Sequence, residues 1–301
     1  MISRPLAFFL TFAVSALGQA PVALYDFAST DGDTVHDRSG VAPPLDLKIS
    51  EPKSVHRTPG SLEVRAQTII RSETPAKKII DAVQRTGELT IEAWIKPAKT
   101  DQSGPARIIT LSRNGSERNA TLGQDGDRFD ARLRTTSTST NGIPSINSKP
   151  ESLTNKLTHI VYTRDRSGRA QIFIDGKSVT ASKVAGKLDN WDNNYTLALG
   201  NEHSNDRLWL GTYHRVAIYA RALHQEHVAA SFKAGANTSI DPALIAASKP
   251  NPDAEFFESK IAPILARNCL ECHDNASKKG KLNLAQRTAA LAGGKNGKAI
   301  V

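Results

Sequence analysis

Three features of the sequence predict a mainly β protein: a two-sheet antiparallel sandwich with a short α-helical segment near its C-terminal end. From Pro21 to about Gly235, short apolar or alternating runs recur between clusters of Gly, Asn, Asp and Pro, the pattern of strands and turns. Asp175-Gly176 separates Ile172-Phe173-Ile174 from Lys177-Ser178-Val179, placing Gly where a two-residue type I′ hairpin needs positive φ. Helix-period spacing is expected only over Ala222–Ala234 and again from Asp253 to Leu265. So long a succession of strand-like runs suits two packed sheets.

In chain order, Met1 to Ala20 has the layout of a secretory signal: Arg4, then an apolar run through Leu6, Phe8, Phe9, Leu10, Phe12 and Val14, then small residues. Cleavage is expected after Gly18 or Ala20; the alternative is an uncleaved membrane anchor. No cysteine lies here, so a lipid anchor is not expected. No later tract of 18 apolar residues follows, so no transmembrane helix is expected after signal removal. The chain has 39 Lys and Arg against 30 Asp and Glu, a formal charge of +9. Over residues 21–233 the count is 29 against 24, spread thinly, with short pairs such as Lys77-Lys78. That is a solvated surface rather than a basic stripe, and nucleic acid is not an expected partner.

The strand candidates are Val22–Phe27, Leu89–Ile95, Ile108–Leu111, Thr158–Thr163, Gln171–Ile174, Thr196–Leu199 and Val216–Tyr219. Several carry a resemblance. Leu24-Tyr25-Asp26-Phe27 with His36-Asp37-Arg38-Ser39-Gly40, then Thr90–Pro97, His159–Thr163, Ile172–Gly176 and Leu210–Leu223 resemble successive strands of the laminin-G-like members of the concanavalin A-like lectin/glucanase group. The resemblance implies a jelly roll over 21–235 and is poorly specific for ligand.

Hydrolytic branches of that group look like E-x-D-x-x-E on one strand. The nearest stretch here, Ile91–Lys96, has Glu92 alone, so Glu92 reads as a strand residue hydrogen-bonded across the sheet, and glycoside hydrolysis is not expected. Trp94, Trp191, Trp209 and Tyr213 are either stacking faces for a sugar or core. The loops Gln124–Arg128 and Asp189–Asn194 are oxygen-rich enough for Ca²⁺ but make equally good turns. The run Thr135–Gly142 reads as a loop open to a partner.

Residues 236–253, with Pro242, Pro250 and Pro252, read as a linker. Beyond it, Phe257, Ile261, Ile264 and Leu265 share one helical face, and Cys269-Leu270-Glu271-Cys272-His273 follows. C-x-x-C-H is the c-type haem attachment signature: two thiols on one helical turn for thioethers, and an adjacent imidazole for iron. The chain's two cysteines both lie in it. A disulfide pair and a zinc site are the alternatives, though zinc would need two further close ligands.

Phe256–Leu265, Lys279–Leu284 and Gly293–Val301, in this order, resemble the planctomycete-type cytochrome c domain. The resemblance implies haem c on Cys269 and Cys272 with His273 as the axial iron ligand. Val301 falls mid-pattern, so residues 254–301 are expected to be the N-terminal part of such a domain. The only methionine is Met1, and no mature Met is expected at the sixth iron position. The expected whole is an exported, periplasmic or surface haem protein of a Gram-negative-type bacterium, carrying electrons to a redox protein partner. Its jelly roll would bind a glycan or another surface. A binding module whose cysteines carry no haem is the alternative.

Overall fold

The computed structural model describes residues 20–236, 260–274, 277, 279–284 and 287–298. The expected signal (to residue 19), most of the expected linker and residues 254–259 of the expected helix lie outside them, as do Ala299-Ile300-Val301. The chain forms two units, Met1–Ala247 and Ser248–Val301.

The first unit is the sandwich, with strands numbered in chain order. One sheet runs β14 (Lys177–Lys183), β13 (Arg169–Ile174), β12 (Thr158–Arg164), β7 (Leu89–Pro97), β16 (Gly211–Tyr219), β5 (Ser61–Val64), β4 (Val55–Thr58), with β1 (Ala23–Tyr25) also paired to β16. The other runs β11 (Ile146–Asn147), β10 (Arg128–Leu133), β9 (Glu117–Asp125), β8 (Ala106–Asn114), β15 (Thr196–Leu199), β6 (Ile70–Ser72), β3 (Leu47–Ile49), β2 (Thr34–Val35). Every pairing is antiparallel.

Strand period decides which side chains enter the core. On β7, Ile91, Ala93 and Ile95 join the inter-sheet core with Ile160, Tyr162, Leu122 and Leu197, while Glu92 and Trp94 face the other way. That outer face is itself covered. The helix α2 (Gln225–Ala234) packs Val228 into a second cluster with Leu24, Val161, Phe173, Ala217, Tyr219 and Leu223.

The Asp175-Gly176 hairpin forms as expected, with φ of 48° and 76°. The helix α1 (Lys77–Thr86) was not expected. It starts at Ala76 with no side-chain cap, so the usual N-terminal signal is missing; its apolar face is Ile79, Ile80, Ala82 and Val83, all buried. Nor are Lys77-Lys78 a simple surface pair. Lys77 bonds exposed Asp81, whereas Lys78 is buried against Asp37.

Helix α1 ends at Gly87 in the left-handed region (φ 68°, ψ 20°), its N–H bonded to Val83 O at 2.8 Å. A Cβ there would meet only the Arg166 side chain, at 3.6 Å. Gly87→Ala is therefore expected to cost about 1 kcal/mol through backbone strain alone, measurable by urea denaturation.

Candidate functional site

In the second unit, the C-x-x-C-H segment continues directly from the helix α3 (Ala262–Asn268). Cys269 N–H bonds Leu265 O at 2.9 Å and closes the last helical turn. The segment then winds one turn further: Cys272 N–H reaches Cys269 O at 3.2 Å, and His273 N–H reaches the same oxygen at 3.0 Å. The chain folds back onto this turn, with Lys279 N–H on Cys272 O (2.9 Å) and Leu284 N–H on His273 O (2.7 Å). Gly294 closes the segment. Its N–H bonds Gly297 O at 2.9 Å, and a Cβ on it would sit 2.8 Å from Gly280 O, which accounts for glycine at that place. The helix α4 (Arg287–Ala292) buries Ala290.

Both thiols are free and half-buried. The Lys279 ammonium lies 3.4 Å from Cys272 Sγ, within hydrogen-bond reach of sulfur. His273 Nδ1 is buried with no hydrogen-bond partner. Among the described residues no three His, Cys, Asp or Glu side chains are placed to hold one metal ion, Cys269, Cys272 and His273 included. A haem makes a different demand, taking the two sulfurs at its periphery and the imidazole at its centre. The donor set and its single-turn spacing fit that group.

The sandwich candidates fare differently. Trp94, Trp191, Trp209 and Tyr213 are all buried, at 5% exposure or less, and offer no stacking face. Trp209 Nε1 donates to Gln124 Oε1 and Tyr213 OH to the Ile108 carbonyl. The two oxygen-rich loops are turns. Asp125 and Arg128 pair across the β9–β10 hairpin, with Gly126 at φ 63°. Asn119 grips Asp192 at both backbone groups while Asp192 Oδ1 takes the Asn194 N–H. In the Thr135–Gly142 run, Thr135 is buried and bonds Ala185 O, while Thr138 bonds Leu133 O.

Glu92 is fully buried beneath α2 and closed to a substrate. Oε1 accepts His159 Nε2–H (2.8 Å) and the Ser231 hydroxyl; Oε2 accepts Tyr219 OH (2.8 Å). Burial alone would raise this carboxyl, but the His159 bond, the Arg215 and His159 charges and Ser231 outweigh it and hold it at about 2. Trp94 and Phe232 stack with the His159 ring, at 4.8 and 6.0 Å. The expected cross-sheet bond exists, but it belongs to a buried knot that also ties α2 to the sheet.

Two antiparallel sheets packed over one core, with the lone β7 carboxylate sealed under a helix, define a lectin-like jelly roll. The description "Concanavalin A-like lectin/glucanases superfamily" matches residues 72–229, and the chain belongs to that superfamily. "Planctomycete cytochrome C" matches residues 269–301, the segment with the C-x-x-C-H turn. Similar solved structures include the receptor-binding domain of botulinum neurotoxin type G (16% identity, TM-score 0.51, 71% of this chain and 51% of that one). Another is the binding domain of botulinum neurotoxin DC in complex with rat synaptotagmin II (16%, 0.53, 72% and 52%). A third comes from work on botulinum neurotoxin type C, whose cell entry depends on interaction with two ganglioside molecules (18%, 0.53, 71% and 51%). This chain spans about half the length of each, and at these identities the likeness is one of fold. No curated protein matches the sequence.

Proposed function

We propose that the chain is an exported haem-c electron carrier whose lectin-like module tethers the haem segment to a glycan or a surface partner. The observation that carries this reading is the C-x-x-C-H turn: two free thiols and a histidine whose Nδ1 has no hydrogen-bond partner on one turn, in the segment similar to planctomycete cytochrome c. Each Cys would add its S–H across one haem vinyl group, sulfur to one carbon and hydrogen to the other, with no oxidant consumed. His273 would give a ring nitrogen to the iron. The haem supplies one-electron cycling, and the axial ligand and degree of burial tune its potential. Covalent haem attachment outside the cytoplasm agrees with the signal-like stretch at Met1–Ala20 and with the cysteine usage.

The test is the mass of the tryptic peptide 268–278 from protein made in a host with c-type cytochrome maturation. The expected mass is the peptide plus one haem. A mass short by two hydrogens would mean a disulfide and support the haem-free binding module.

A further inference from the structure

The positive charge of the chain is concentrated beside the C-x-x-C-H turn. Residues 267–298 carry 7 Lys and Arg against 2 Asp and Glu, the same excess as the 29 against 24 of residues 21–233. Many sandwich cations have a carboxylate, among them Lys48 with Asp33, Lys77 with Asp81, Lys78 with Asp37 and Arg107 with Glu202. Lys279, Lys281, Lys295 and Lys298 are all exposed, and none is ion-paired among the described residues.

Backbone contacts gather these four. Gly280 and Lys281 take positive φ, 64° and 59°, and the Gly280 carbonyl accepts Lys295 N–H at 2.7 Å. The 279–281 turn is thereby fastened to the 294–297 turn, where Gly294 and Gly297 bond each other. Lys298 follows at once, its Cα 2.7 Å from where a Cβ on Gly293 would lie. The Lys279 ammonium is 3.4 Å from Cys272 Sγ, so the patch borders the sulfur that would hold one edge of the haem.

We infer that this patch docks an acidic electron-transfer protein, whose carboxylates meet the lysines and whose redox centre faces the Cys272 edge. The inference rests on the haem reading and names the charge of the redox partner. One electron crosses: the partner is oxidised by one electron as ferric haem becomes ferrous, with no bond formed and no proton moved. Unpaired ammonium groups on one surface attract an acidic partner over roughly a Debye length and orient it before contact. Gly280, Gly294, Asn296 and Gly297 separate the lysines, so the patch has no aromatic or aliphatic anchor of its own for a lipid surface or a nucleic acid.

The test uses the full haem-loaded chain, with a flavodoxin as the acidic probe. Calorimetric titration with oxidised flavodoxin reads docking. Stopped-flow reduction of the ferric haem by flavodoxin hydroquinone, which becomes the semiquinone, and by the cationic hexaammineruthenium(II) reads electron entry. Flavodoxin is expected to dock in low salt and to lose about 10-fold or more in affinity and rate in high salt. Lys281→Gln/Lys295→Gln/Lys298→Gln should keep the α-band and lose about 10-fold with flavodoxin in low salt. The ruthenium complex should instead reduce this variant faster than wild type, a change of opposite sign that misfolding does not produce. Unchanged affinity and rates in the triple variant overturn the inference. So does binding to phosphatidylglycerol vesicles that the triple variant loses while both rates stay unchanged, which would assign the patch to lipid. A colourless chain defeats the haem reading, and the titration still decides the patch: salt-sensitive docking lost in the triple variant upholds an acidic partner, and no docking overturns it.

Discussion

Asp37→Ala is expected to lower folding stability by about 3–5 kcal/mol, because it strands the buried Lys78 ammonium without its counter-charge. The Lys78 and Asp37 side chains are 6% and 0% exposed. Asp37 Oδ1 accepts the N–H groups of Leu24 (3.2 Å) and Ser39 (3.0 Å), and Oδ2 accepts Leu45 N–H (3.0 Å) and Lys78. Lys78 in turn donates to Val41 O at 2.8 Å. One carboxylate therefore joins β1, the 37–45 loop and α1. Asp37→Ala/Lys78→Met removes both charges and should recover part of the loss, though the three backbone donors stay unpaired. Urea midpoints of the single and double variants measure this. A single-variant loss below about 1 kcal/mol would contradict the assignment.

The second large effect is pH-dependent. The Glu92 carboxyl is held at about 2 in the folded chain, against an ordinary 4.5. A lowered folded-state pKa contributes stability that is fully present above the unfolded value and is lost as pH falls through the folded one. Acidification from about 5 toward 2 should therefore remove on the order of 3 kcal/mol through this group alone. In Glu92→Gln that share of the slope should disappear, and the α2 amides should exchange faster, because Ser231 and His159 lose an anionic acceptor. Urea denaturation of both proteins from pH 7 to pH 3, with hydrogen exchange at α2, reads both effects. Parallel stability curves for the two proteins would contradict the knot.

What was legible in the sequence was local. Asp175-Gly176 specifies its hairpin because both residues take the positive φ it needs at little cost. The C-x-x-C-H spacing places its donors within one turn whatever surrounds it. The features missed are long-range. His36–Gly40 signalled the resemblance, but the reason for Asp37 lies 41 residues away in α1, a ten-residue helix with no capping residue to announce it. Glu92 was read as cross-sheet, yet its partners at 159, 219 and 231 converge only once β12, β16 and α2 are in place. The tryptophans were ambiguous because aromatic size serves a core and a sugar face equally; only burial decides.

The most direct test of the electron-carrier reading is a reduced-minus-oxidised visible spectrum of the full chain, exported from a host with c-type cytochrome maturation, beside Cys269→Ser/Cys272→Ser. The account predicts a sharp α-band at about 550 nm, present in the wild-type chain and absent from the double variant. A colourless wild-type protein that is folded and still binds a saccharide would contradict it, leaving a lectin-like module whose cysteines hold no haem.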